Sequence, residues 1–404
     1  MSFEFSIRKY RQKEIHASEE KVAVTTPTRG ITQQLEGHTL PEAIHIISRV
    51  CAQHSITHTL GLLHAIEDAQ KNFTKKQDKL LRRLLLLGEY ILSHSKHLYY
   101  DVTPLLLGCD THLPKLALNR SHLRHGTNLI DYGENIKKTV GGSTTHPLTC
   151  TICGFTKIPS AHQIQDLWIQ SNLVLEDAIK TSDQILEYTL PAIKTLATDV
   201  AVEDGLNYPH YEGAAQADEL ILPEMYEAKL DYYAVPESNA DQILLRKKPV
   251  KAGPQARLNR FSHRLNPTAL KEKPEKLPKE NPYYNICAQA LELIHYVEET
   301  QMILDQLKGL KPNPNPGLPH TRKKVTGHSL LESPHGLHLQ KVVLEKQKIV
   351  EAKIITADQI NIASFTQDVE TLAAYKKTLT LHQKKEYLRL LQSAYDLCPH
   401  CLTT

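Results

Sequence analysis

Two cysteine-bearing stretches near opposite ends of the 404-residue chain carry residue types suited to metal chemistry. The first is Arg29-Gly30-Ile31-Thr32, then sixteen residues, then Arg49-Val50-Cys51-Ala52-Gln53-His54-Ser55-Ile56-Thr57-His58. On a helix, Cys51, His54 and His58 stand at i, i+3 and i+7, so one thiol and two imidazoles share a face. The second is Asp396-Leu397-Cys398-Pro399-His400-Cys401, where two thiols again stand three apart. If the two stretches meet, Cys51, His54, Cys398 and Cys401 form a Cys3His set. That set makes a good tetrahedral zinc shell, and thiolate-rich tetrahedral sites favour zinc or iron–sulfur chemistry. A third pair, Cys150 and Cys153, is a lone CxxC and reads as packing, as do Cys109 and Cys287.

The elements that must position these residues are mainly helical. Apolar residues recur at helical spacing over 40–52 and 55–70, as two helices or one continuous one, and again over 76–98. The run Leu84-Leu85-Leu86-Leu87 predicts burial on more than one side. Helical periodicity returns from Ser160, and Ile286 to Leu307 reads as an amphipathic helix. Closing helices are expected at about 366–378 and 381–395. Strand signals are confined to Lys21-Val22-Ala23-Val24, to the tyrosine-rich stretch 206–250, and to Leu337–Ile355, which reads as a hairpin. The stretch from Pro254 to Pro282 reads as a loop followed by an exposed segment. Three prolines in Lys311-Pro312-Asn313-Pro314-Asn315-Pro316-Gly317 make that stretch a loop. The fold class expected is mainly α with smaller β segments. It comprises an amino-terminal segment 1–28 and a domain 29–404 with β-containing parts at 206–250 and 325–360.

Composition narrows the class. Hydrophobic residues make up 41% of the chain, enough for a core, and the formal net charge of +3 is spread rather than striped. Nothing in it points to nucleic acid or an anionic membrane surface. No stretch reaches the roughly 20 apolar residues of a spanning helix, so no transmembrane segment is expected. The first residues do not read as a secretory signal. Seven cysteines, an odd number, then point to reduced thiols in the cytoplasm.

The order of motifs resembles the large subunit of nickel-iron hydrogenases, closest to the cytoplasmic NAD(P)-linked and sulfhydrogenase-type branch. That family is marked by R-G-x-E, sixteen residues, R-x-C-G-x-C-x-x-x-H, and a closing D-P-C-x-x-C-x-x-H. Here the spacing from Arg29 through Arg49 to Cys51 and His58 fits without a gap, and Asp396, Cys398 and Cys401 fit the closing motif. Between them lie Leu85-Leu86-Leu87-Gly88-Glu89-Tyr90-Ile91, Gly141-Gly142 with His146-Pro147, Gly253-Pro254-Gln255-Ala256-Arg257-Leu258-Asn259, and Glu332-Ser333-Pro334-His335-Gly336. The resemblance implies the hydrogenase large-subunit fold, with buried helices bringing the two cysteine stretches together. It also implies a nickel–iron centre, with Cys51 and Cys398 as terminal nickel thiolates, Cys401 as a bridging one, and His58 hydrogen-bonded to a bridging sulfur. The implied partners are NAD(P)-linked electron-transfer subunits and an iron–sulfur small subunit. Glu332 is expected to relay protons or to be an ion-paired carboxylate. Arg257 and Asn259 are expected to orient loops beside the cofactor or to be structural.

The chain departs from the family pattern where the metals would be held. His54 stands in place of a bridging cysteine; a thiolate can join two metals, whereas a neutral imidazole offers one lone pair on one nitrogen. Thr32 and Thr404 replace an acidic residue and a histidine that in the family help hold a structural divalent ion, and Ala52 replaces a glycine. His335 replaces an arginine, whose multi-donor fork an imidazole does not reproduce. Three functions follow as expectations: a hydrogenase-type metal-binding redox subunit of altered activity, an inactive scaffold or coupling subunit that lost the binuclear centre, or a protein with a single zinc or nickel ion in a Cys3His site.

Overall fold

The computed structural model describes residues 5–9, 12–17, 22–24, 30–108, 120–309, 323–375, 379–398 and 401. Arg29, Cys109, Thr404 and the proline loop at Lys311–Gly317 lie outside them.

Five long helices form the core. Helix α1 (Ser55–Gln70) is buried on nearly every side, its polar residues Thr57, His58, His64 and Glu67 included. Helix α2 (Lys76–Lys96) buries Leu84, Leu85, Leu86 and Leu87 completely, which bears out the reading of that run. The next helix, α3 (Arg120–Gly141), was not foreseen from the sequence. It packs on α2 at backbone distance: a Cβ on Gly133 would stand 2.8 Å from the Gly88 carbonyl oxygen. Helix α4 (Ala161–Leu186) begins at a capping box in which Ser160 and Gln163 satisfy each other's backbone N–H groups. Helix α5 (Asn285–Leu307) packs against α4 and α2. Its amphipathic reading needs correction, because Asn285 through Glu298 are all buried, so the first half of the helix is wrapped on every side.

A three-stranded antiparallel sheet, β1 (Val325–Ser333), β2 (Gly336–Glu345) and β3 (Lys348–Ile355), lies beside this bundle. The expected hairpin is therefore the second half of a meander. Both faces are covered, one by α1 and the main core through Leu331, Val342 and Leu344. The other faces a second core, where Leu330, Leu337 and Leu339 meet Val200, Val202 and Ala215. Short strands between Thr198 and Lys251 supply that second core; the first of them, Thr198–Asp199 and Ala201–Glu203, precede the stretch 206–250 where strands were expected.

Two boundaries differ from expectation. The stretch after Gly253 is not a loop: Pro254–Phe261 is a helix whose inward residues Gln255, Ala256, Arg257 and Leu258 are buried. A proline at its first position suits a helix start, so Pro254 opens a helix rather than ending one. The first closing helix, α6 (Ala357–Tyr375), starts directly after β3, earlier than its periodicity suggested; α7 (Leu381–Tyr395) follows as expected.

Candidate metal centre

Cys51 and His54 do not share a helical face. The helix Leu40–Ile47 stops three residues short of Cys51, and α1 begins at Ser55, with His54 as its N-cap. The cause is local. His54 makes no side-chain cap, so the free N–H groups at the start of α1 need another acceptor. Glu89 on α2 supplies it, accepting from the Ile56 N–H at 2.8 Å, the Thr57 N–H at 3.0 Å and the Thr57 hydroxyl at 2.5 Å. A carboxylate at a helix N-terminus is also electrostatically favoured. With its capping duty met elsewhere, His54 turns its ring toward the sulfurs. Its Nε2 faces Ser93 Oγ at 3.5 Å, and its backbone N–H points at Cys51 Sγ at 3.3 Å.

The other half of the site hangs from α7. Asp396 ends that helix in the left-handed region at φ 45°, which turns the chain toward the core. The Cys398 N–H donates to Asp358 Oδ1 at 2.6 Å, and Thr356 Oγ1 donates to the Cys401 carbonyl at 2.7 Å. Residues at the head of α6 thus fix both closing cysteines.

Among the described residues, Cys51, His54, Cys398 and Cys401 form one group whose donor atoms all lie within 4.8 Å of one another, every member buried. The sulfurs of Cys51 and Cys401 are 3.9 Å apart, across 350 residues of sequence. Hydrogen bonds from Cys398 and Cys401 pull the Cys51 thiol well below its ordinary range, and those two thiols are in turn held well above it. His58 lies outside the four-donor group, with Nε2 3.7 Å from Cys401 Sγ and its ring edge-on to His338 at 4.6 Å.

His335 sits in the two-residue turn between β1 and β2. Its Nδ1 is 3.0 Å from Asp358 and its Nε2 3.3 Å from Asp396, and its ring meets His54 edge-on at 4.3 Å between centroids. Burial alone would favour the neutral ring, but the two carboxylates outweigh it and raise the imidazole to about 10. The Asp358 and Asp396 carboxylates thus clamp the His335 ring from both nitrogens.

Arg257 and Glu332 stand in a neighbouring buried network. The Arg257 guanidinium bonds both oxygens of Glu292 at 2.7 Å, Glu332 at 2.8 Å, and the carbonyls of Ser333 and Pro334. It therefore anchors the turn that carries His335. His94 and Tyr208 complete the network on Glu292. Glu332 is an ion-paired carboxylate that also accepts from the Val202 N–H, and burial pushes it up to about 7. Asn259 points elsewhere, to Asp199 and the Lys279 carbonyl. Cys150, Cys153 and Cys287 are buried. Sequence reasoning assigned no role to Glu89, Ser93, Asp358 or His338; only Glu89 lay inside a recognised landmark, and no spacing rule pointed to the rest.

The architecture is that of a nickel-iron hydrogenase large subunit. An NAD+-reducing [NiFe]-hydrogenase in its H2-reduced state superimposes with a TM-score of 0.84 over 95% of this chain and 93% of that one, at 18% identity. The Ni-Fe-Se hydrogenase of D. vulgaris Hildenborough superimposes with a TM-score of 0.74 over 100% and 99%, at 15% identity. In sequence, the chain is 25% identical over 384 residues to the alpha subunit of sulfhydrogenase 1 of Pyrococcus furiosus, covering 90% of this chain and 87% of that protein. It is 24% identical over 396 residues to the alpha subunit of the coenzyme F420 hydrogenase of Methanocaldococcus jannaschii, covering 94% and 86%. No family profile matches the chain. Sequence and fold together make it a homologue of the hydrogenase large, or alpha, subunits.

Proposed function

We propose that this chain is the metal-carrying large subunit of a hydrogenase-type redox assembly, docked to an iron–sulfur small subunit, and through it to NAD(P)-linked electron-transfer subunits in the cytoplasm. The observation that carries the reading is the closure of four buried soft donors from distant parts of the chain within this fold. The relatives are named as subunits of larger enzymes, which supports an assembled state. No helix among the described residues is long and apolar enough to cross a membrane.

The two-metal centre implied by the family does not fit this donor set. It needs two bridging sulfurs, and His54 supplies one imidazole lone pair where the second would be. No hydrogen-splitting step is therefore assigned to the site, and the same observation favours a second reading as a coupling subunit that keeps the fold and a simpler site. Purification of the chain from its native source under anaerobic conditions tests the reading. We expect an iron–sulfur subunit to co-purify in equal amount; a chain isolated alone, without iron–sulfur absorbance in any associated subunit, would refute it.

A further inference from the structure

We propose that Cys51, His54, Cys398 and Cys401 bind one divalent ion of the zinc class in a closed tetrahedral site, with His54 as its fourth ligand. The inference deepens the metal-carrying part of the proposed function and does not depend on the partner subunits.

Three observations carry it. The first is size: with Zn–S bonds of about 2.3 Å, tetrahedral geometry separates two sulfurs by roughly 3.8 Å. Cys51 and Cys401 stand at 3.9 Å, and the other donor pairs lie within 4.8 Å. The second is valence. Three thiolates and one imidazole make four single-metal donors, and soft sulfur selects zinc-class ions over magnesium or calcium. The third is enclosure. All four residues are buried, the outer side of the His54 ring abuts His335, and His335 is fixed between Asp358 and Asp396. Four protein ligands leave no coordination position for a substrate, which marks a structural site rather than a catalytic one. The surroundings orient the ligands as such sites require: Ser93 Oγ faces His54 Nε2 at 3.5 Å, and Asp358 holds the Cys398 backbone.

The test is elemental analysis of the intact native protein, followed by replacement of the ion with Co2+. We expect one zinc-class ion per chain, and a Co2+ form with strong visible bands of tetrahedral cobalt and thiolate charge-transfer absorption. His54→Cys should keep one ion and move the Co2+ spectrum toward a four-thiolate pattern. His54→Ala should weaken binding by more than about tenfold, while Cys150→Ser should leave stoichiometry and spectrum unchanged. Wild-type protein with no stoichiometric metal, with nickel plus iron and infrared bands of diatomic ligands, or with an octahedral Co2+ spectrum would overturn the inference. So would an unchanged cobalt spectrum in His54→Ala. The wild-type spectrum decides the matter even where a variant fails to fold. A one-ion chain with no iron–sulfur partner would defeat the functional proposal alone, and a complex holding two metals per chain would defeat this inference alone.

Discussion

His54 and Arg257 show how one side chain sets the character of a buried site. His54 is available to the sulfurs because Glu89, on a different helix, caps the helix that His54 precedes. Replacing Glu89 by Gln should therefore destabilise the protein and lower metal retention, both readable by thermal melting with and without metal; unchanged retention would show that the cap does not govern His54. Arg257 is fully buried against two carboxylates. Arg257→Met strands Glu292 and Glu332 without a counter-charge, and a loss of about 3–5 kcal/mol is expected in denaturant unfolding. A loss below about 1 kcal/mol would mean that water or a rearranged partner replaces the guanidinium. His295 gives a test by pH. Burial lowers it from 6.5 to about 3, and its Nδ1 accepts the Asn266 N–H at 3.0 Å, which requires the neutral ring. The unfolded chain binds this proton more readily than the native one, so the stability it contributes is full above pH 6.5 and declines as pH falls toward 3. The stability gap between wild type and His295→Gln should shrink by about 1.4 kcal/mol per pH unit below about 6.5; a gap independent of pH would show that the ring protonates freely in the fold.

At the scale of elements, β1 approaches α1 backbone to backbone at Gly327. A Cβ on Gly327 would fall 2.0 Å from the Ala65 carbonyl oxygen and 2.4 Å from the Ala69 backbone nitrogen. Gly327→Ala must push helix from sheet, and a destabilisation of about 2–4 kcal/mol is expected, measured by chemical denaturation; a near-neutral result would mean that the helix slides at little cost. Contacts of this kind explain what could be read from the sequence. The long apolar helices and the β-rich stretch were legible because periodicity reports burial, and Cys51, Cys398 and Cys401 were legible because ligand spacing survives. The break before α1 was one of two alternatives, since periodicity over 40–52 and 55–70 allowed either two helices or one; the interruption depends on the cap donated by Glu89. The Pro254–Phe261 helix was hidden by its opening proline and basic residues: Arg257 looks like a surface residue until Glu292 and Glu332 are placed around it. The Asp358–His335–Asp396 clamp was equally invisible, since its three members come from a strand turn, a helix head and a helix end.

For the molecule as a whole, the four donors tie the region before α1 to the arm after α7. Removing the ion with a chelator should lower the melting temperature, and restoring it should return the loss, because a ligand bound only by the native state stabilises it by mass action. Identical melting with and without chelator would show that packing alone holds the arm. The closure across 350 residues also bears on the order of events during folding. Pairings so distant in sequence meet late, after the local helices and the β1–β2–β3 meander have formed. Cys51 and His54 sit in a core that can assemble first, while Cys398 and Cys401 reach it only once α7 has docked. Metal uptake is thus a kinetic signature of completion: in refolding followed by stopped flow, the cobalt thiolate signal should trail the recovery of helix, and its amplitude should count finished molecules rather than collapsed ones.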